Sequence, residues 1–570
     1  MAEETNKERL NLNPYMSVEE RLKKHEIAVK KEFLKEIFAD QEEHKRSRPP
    51  AEETPKKKSR YSKAAKRDRR KQKHKDLFQG KGICRPVFSG EECTQDPCKY
   101  SHDVDEYLKQ KPDDIGDSCY VYQQTGKCTF GYRCRFGDSH IKDGKLLVDE
   151  EKFNSITEPS VLNVMDRAIQ SGLRKKEIPF MKTKKAIKKY ANGNMGFLSD
   201  VKDIDMSNIV LEDKPKKTMD WQDKLILAPL TTIGNLPFRR ICKIYGADVT
   251  VGEMALSTQI LKGSPSEWAL VKRHKSEDIF GVQLAGSHAN TMAACAELLC
   301  DTTDINFIDI NCGCPIDIIC DKGAGSNLLL RKNRLESICR SMIDVMDVPL
   351  SIKIRTGVQD KNNVAHTIVP DLKDWGVSAV TLHGRSKEQR YTKLADLAYM
   401  KQCSELSSVP FISNGDVYSW QDAATLKEQS SSNSVMIARG AIIKPWIFKE
   451  IKEQKEYDIS GSERFDMIKD FIDFGLEHWG TDQAGIDNVR HFFLNWMSFL
   501  CRYTPIGIIE HLPVAINHRP PAFFGRDDRE TLLSSTYVND WIKISEMFLG
   551  PVPDGFTFVP KHKANSYPTI

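Results

Sequence analysis

Three sets of residues in this 570-residue chain have types and spacings that chemistry could use. The first is a repeated set of thiols and imidazoles: Cys84, Cys93, Cys98 and His102, then Cys119, Cys128, Cys134 and His140. The intervening gaps are eight, four and three residues in the first unit and eight, five and five in the second. Three thiolates and an imidazole complete a tetrahedral zinc shell, and binding worth about 10–16 kcal/mol can fold a segment that buries almost nothing. Two zinc ions are expected, with His140 departing most from the usual spacing. The second set is DINCGCPIDIICDKGAG, residues 309–325, where Cys312, Cys314 and Cys320 crowd together as metal ligands, a redox pair, one acid with two bystanders, or small core residues.

The third set lies at the ends of short apolar runs. LILAPL, VTVGEM, FGVQLAG, FIDINCG, LSIKIRTG, AVTLHGR, PFISNGD and VMIARG each read as a β-strand, and each is followed by enough residues for a helix. Eight such units predict parallel strands closed into a (β/α)8 TIM barrel, with a doubly wound open sheet as the alternative. Polar residues gather at the C-terminal end of every run: Thr231, Glu253, Gln283, Asn311, Lys353 with Arg355, His383 with Arg385, Asn414 with Asp416, and Arg439. That rim is where a barrel carries its active site. ISNGD and IARGA, ending runs seven and eight, place Gly415, Gly440 and Arg439 where this fold cradles phosphate. A phosphate there, a lysine from run five and amides on runs three and four describe a flavin mononucleotide (FMN) site. Lys353 would stabilise negative charge on the reduced flavin; its structural alternative is an ion pair with Asp309 or Glu253.

Composition bounds the remainder. The formal charge is +5, but residues 56–75 concentrate Lys and Arg in a block that cannot fold alone. The expected organisation is a disordered basic arm (1–78) with one amphipathic helix at 18–38, tandem fingers (79–142), a basic connector (143–222), the FMN-binding barrel (223–458), a helical RNA-binding domain (459–550) and a tail (551–570). The connector's basic stretch, 173–190, suits ion pairing with the barrel or RNA contact equally. Fifteen cysteines with metal-type spacing and no apolar run of about 20 residues predict a soluble intracellular protein without a disulfide framework or membrane partner. The basic block suits nuclear import, nucleic-acid contact or neither, and the expected location is nucleus and cytoplasm.

The tandem units resemble CCCH zinc fingers, whose members commonly bind single-stranded RNA. Phe88, Tyr100, Phe130, Tyr132 and Phe136 lie among their ligands, and each ring either stacks on an unpaired base or covers its own metal site. APLTTIGNLPFRRIC, GVQLAG, DINCGCP, SIKIRTG, TLHGR, ISNGD and ARGA, in this order, resemble the flavin-dependent tRNA-dihydrouridine synthases. Fingers ahead of the barrel point to the eukaryotic dihydrouridine synthase 3 branch.

The resemblance implies that NADPH (or NADH) reduces FMN, that hydride passes to C6 of a uracil in tRNA, and that a cysteine protonates C5. The implied target is uridine 47, with messenger RNA sites also expected, and the protein acts as a monomer. It implies flavin contacts from Pro229, Leu230, Thr231, Gln283, Lys353, His383, Asn414, Gly415, Asp416, Ala438 and Arg439. Cys314 matches the family's general acid. A thiol with a pKa of about 8.5 stays protonated at neutral pH yet yields its proton to a developing carbanion. Period-two alternation then sorts its neighbours: Asp309 and Asn311 share one face, while Cys312 falls on the apolar face with Ile308 and Ile310. Cys320 is expected to pack. Two other readings remain: a flavin dehydrogenase of free pyrimidines, and an RNA-binding scaffold with an inactive barrel.

Overall fold

The computed structural model describes residues 17–35, 82–201, 215–389, 391 and 393–561. The basic block at 56–75, and with it the expected disorder of most of the arm, lies outside these residues.

Eight parallel strands form the barrel: β1 (Leu225–Leu227), β2 (Val249–Val251), β3 (Phe280–Ala285), β4 (Phe307–Cys312), β5 (Leu350–Arg355), β6 (Ala379–His383), β7 (Phe411–Asn414) and β8 (Ser434–Ile437). Their order is β2-β1-β8-β7-β6-β5-β4-β3, and pairing of Thr250 and Val251 with Phe280 and Gly281 closes the ring. An open doubly wound sheet is thereby excluded. Alternation divides each strand between two environments. Outward residues such as Ile308, Ile310, Ile352, Ile354, Val380 and Leu382 join the large core under the surrounding helices. Inward residues Ile226, Val249, Val251, Phe307, Ala379, Ile412 and Met436 form a separate apolar plug with Trp221, whose ring meets Phe307 edge-on at 5.0 Å. Gly281 makes room for that plug, since a Cβ there would come 2.2 Å from the Phe307 ring. With the floor filled, the polar inward positions further along the strands are left facing the mouth.

The C-terminal helices Gly461–Trp479 and Gln483–Leu500 pack on each other and on the barrel. Ser460 and Glu463 form a reciprocal cap that starts the first, and Asp482 caps the second through the Gly485 amide. Trp496 bridges the domains: its indole donates to the Ile442 carbonyl at 2.9 Å and its ring meets Phe238 at 5.4 Å.

Between Arg167 and Tyr190 the connector resolves into the helix Arg167–Lys175 and the helix Met181–Tyr190. The second lies on two barrel helices, Ala289–Thr302 and Lys332–Ile343, burying Thr183, Ala186 and Ile187. Thr183 donates from its amide and its hydroxyl to Glu297, at 2.8 and 2.6 Å. Lys182 and Lys189 pair with Asp301 and Asp344, so two of this stretch's lysines serve the barrel.

The N-terminal segment differs from expectation. Instead of one helix over 18–38 there is a short helix, Val18–Lys23, followed by an extended strap. Isolated bridges join Glu26 to Arg519, Val29 to Ile509 and Leu34 to Phe523. Ile27 and Val29 are buried against Ile508, Ile509 and Phe523. Ile27, Ala28 and Val29 are buried in succession, and the strap is held by pairing along an edge rather than by one helix face. Ile27→Ala should release it locally: hydrogen exchange at the Lys30 amide, which donates to the Ile508 carbonyl, should accelerate roughly 30-fold, as expected for a loss of about 2 kcal/mol. Unchanged exchange would show that burial of Ile27 does not hold the strap.

Candidate active site and metal centres

The mouth is built from the inward polar positions of neighbouring strands. In register, Gln283 lies beside Asp309, Asn311 beside Lys353, and His383 beside both Arg355 and Asn414. Asn311 donates to Gln283 at 2.8 Å, Gln283 donates to Asp309 at 2.7 Å, and Ser351 donates to the other Asp309 oxygen at 2.7 Å. Burial raises the Asp309 carboxyl to about 6 despite these donors. Lys353 donates to the Asn414 oxygen at 2.9 Å, and Asn414 is itself oriented by donating to the Met436 carbonyl at 2.8 Å. The alternative ion pairs are not made: Lys353 meets a neutral amide, while Glu253 accepts from the Thr232 amide at 2.5 Å.

Burial, reinforced by Arg355, brings Lys353 down to about 7. Arg355 sends its hydrogen bonds to the carbonyls of Gly313 and Ser386, at 2.7 and 2.9 Å. His383 is held neutral by burial and by the cations Arg355, Lys353, Arg385 and Arg439. Its Nε2 lies 3.4 Å from an Arg385 nitrogen, and since a guanidinium only donates, that ring nitrogen is the acceptor.

At the far corner Asp416 accepts from Arg385 at 2.6 Å and from Arg439 at 2.7 Å. One carboxylate between two guanidinium groups leaves a net positive charge. Tyr391 lies with its ring centroid 4.1 Å from Arg439. The glycines serve packing more than the sequence suggests: a Cβ at Gly415 would come 2.7 Å from Ala395, and one at Gly440 would come 2.2 Å from the Val417 carbonyl.

Cys314 follows β4 and is tied down on every side. Asn311 accepts from the Cys314 and Gly313 amides at 2.8 and 3.2 Å, and the Cys314 carbonyl accepts from the Ser326 amide at 3.1 Å and the Cys320 thiol at 3.3 Å. Gly325, at φ +60°, must be glycine because a Cβ would come 2.9 Å from that carbonyl. Burial pushes the Cys314 thiol up, and the group retains slight exposure to the mouth. Cys312 is wholly buried on the outward face. Cys320 does more than pack, since it holds the Cys314 backbone.

Sequence reasoning missed Ser351 and the tail residue Lys561. Alternation along LSIKIRTG would have placed Ser351 inward with Lys353. Lys561 donates to the Thr232 hydroxyl at 2.7 Å across 329 positions, and nothing in its local sequence announces that contact.

Both CCCH sets converge, with every ligand atom of a set within 4.8 Å of the others. His140 joins its cysteines because the short turn Gly137–Ser139 takes up the longer gap. Its buried Nε2 has no protein hydrogen-bond partner. An orphaned imidazole nitrogen among three thiols fits a metal of zinc's preference.

A family model described as "Dihydrouridine synthase (Dus)" matches residues 226–496, and one described as "DUS3L CCCH zinc finger domain" matches residues 111–143. A Xenopus tropicalis protein named "tRNA-dihydrouridine(47) synthase [NAD(P)(+)]-like" is 49% identical over 551 residues, covering 91% of this chain and 85% of its own. The chain belongs to the dihydrouridine synthase family. A Homo sapiens protein of the same name is 48% identical over 512 residues, covering 83% and 79%.

The residues fit an anionic flavin: a lysine facing a neutral amide, and a phosphate corner with surplus positive charge. In the flavin-free protein Lys353 loses its proton near pH 7, whereas in the unfolded chain it keeps it to about 10.4. Between those values the unfolded state binds more protons, so the lysine's destabilisation is full below pH 7 and is relieved as pH rises. Lys353→Met should therefore raise flavin-free stability by about 1–2 kcal/mol at pH 6, with the gain shrinking towards pH 10 in denaturant titrations. A gain that grows with pH would contradict the assignment.

Proposed function

We propose that the protein reduces uridine to 5,6-dihydrouridine at position 47 of tRNA, using FMN, NADPH or NADH as the reductant, and Cys314 as the acid. At the coarser level it is a flavin-dependent oxidoreductase acting on tRNA uridines. The carrying observation is the convergence on Asn311. That side chain fixes the Cys314 backbone and lies in register beside Lys353, bringing a proton donor and a cation to one place. Position 47 and a nicotinamide reductant, NAD(P), both stand in the names of the relatives and support this reading.

Bound reduced flavin supplies hydride for C6 of the uracil. The chain's residues do the rest. Lys353 offsets negative charge at the flavin's N1 and C2-carbonyl edge. Arg439 and the Gly415–Asp416 turn would hold the phosphate, and Pro229, Leu230, Thr231, Gln283 and Ala438 would hold the rest of the flavin. His383, kept neutral, and Arg385 offer hydrogen bonds to carbonyl oxygens. Cys314 delivers a proton to C5 as charge develops there, and its raised pKa keeps that proton available at neutral pH. Closure of its loop by Arg355, Ser326 and Cys320 sets the donor's position.

Cys314→Ala should retain bound FMN and its reduction by NADPH while lowering dihydrouridine formation in tRNA by about 100-fold or more, measured by nucleoside mass spectrometry. Wild-type turnover should hold on the alkaline side past the ordinary thiol value of about 8.5, because the folded site raises the thiol. Normal yield from the variant would remove the acid role, and activity confined to free uridine would overturn the RNA substrate.

A further inference from the structure

The sequence leaves each finger ring either to stack on an RNA base or to cover its own metal, and the surroundings favour cover. Four of the five interleaved aromatics are packed: Phe88, Tyr132 and Phe136 are buried and Phe130 is partly covered, leaving only Tyr100 exposed. The charge is also wrong for phosphate. Residues 82–140 carry seven Lys or Arg against ten Asp or Glu, and three thiolates around each divalent metal would add one negative charge per site. RNA affinity rests on cations meeting phosphates.

The cations of the second finger are already used within the chain. Arg133 pairs with Asp482 at 2.5 Å, and the Arg135 amide donates to the Thr481 carbonyl at 2.9 Å while its guanidinium bonds Gln483. The Cys128 sulfur lies 3.5 Å from the Thr481 hydroxyl, a donor suited to a metal-bound thiolate. Tyr120 meets Phe474 edge-on at 6.3 Å. Phe130 fills the space a side chain at Gly480 would need, since a Cβ there would come 2.3 Å from its ring. All these partners lie on the turn 480–483 or on the two long helices it joins. The first finger is mounted on the second through Ile83, Phe88, Tyr107, Tyr132, Ile141 and Leu146.

We propose that the second metal centre is a clasp that locks the finger pair onto the helical domain and stiffens the turn between its two long helices. RNA is then carried by other surfaces. This inference stands apart from the flavin reading, because it concerns what holds the helical domain and needs no turnover to test.

The test uses the full-length, zinc-loaded protein. Zinc removal by a chelator should lower the thermal midpoint of the transition followed by tryptophan fluorescence and increase hydrogen exchange at the Gly485 and Ile486 amides. Arg133→Met, which leaves the Asp482 cap on Gly485 in place, and Thr481→Val should each accelerate zinc loss to the chelator by roughly tenfold. Tyr100→Ala should leave the Kd for tRNA and its salt dependence unchanged. Zinc removal that leaves the midpoint and exchange as they were would overturn the clasp. A tenfold weaker Kd for Tyr100→Ala at an unaltered midpoint would overturn the other half of the proposal, that RNA is carried by other surfaces, and would make the first finger an RNA reader.

Discussion

The amine of Lys353 sits in the mouth of a closed parallel barrel, held by a neutral amide, with the Arg355 guanidinium adding positive charge beside it. That arrangement is unfavourable for the protein alone. It can persist because the barrel fixes it from below, where the plug around Trp221 and Phe307 fills the floor and leaves inward polar residues no direction but the mouth. It becomes useful once an anionic ring and a phosphate enter, and the corner at Asp416, with two guanidinium groups on one carboxylate, is charged to receive the phosphate. Cys314 works beside this cation only because its loop is hydrogen-bonded on both sides, so the proton donor and the charged amine keep a fixed relation through Asn311 and the β4–β5 register.

Elements remote from the mouth bear on it by holding the helical domain in place. Trp496 ties the helix Gln483–Leu500 to the barrel, the 17–35 strap laces residues 508–523, and the second finger grips the turn at 480–483. Three unlike devices therefore converge on one domain: an indole hydrogen bond, an edge pairing and a metal-folded module. Chemistry at the mouth gains from a rigid frame, because small displacements of reacting groups cost large factors in rate.

Much of this was legible in the sequence because it follows from period two. Eight apolar runs with polar ends dictate a barrel with a chemical rim, and alternation along DINC separates Cys312 from Asn311 before any coordinates are seen. The metal sets were legible from spacing, including His140, whose five-residue gap needed only one short turn to close. What stayed hidden depends on distant partners. The strap's Ile27 and Val29 sit in a charged segment that resembles a solvated arm. Nothing near Arg133 and Arg135 in the chain announces Asp482 and Gln483, the partners their guanidinium groups meet. Gly415 and Gly440 read as points of anion approach, and the sequence does not show that Ala395 and the Val417 carbonyl also fill the space a Cβ would need there.

The central claim is that the uncompensated cation in the barrel mouth is the flavin's seat. A crystal structure of the FMN-loaded protein tests it most directly. The account predicts the N1 and C2-carbonyl edge of the ring at Lys353 and the phosphate at the corner formed by Gly415, Asp416 and Arg439. A flavin bound with its phosphate elsewhere, or with Lys353 still on Asn414 and away from the ring, would contradict it.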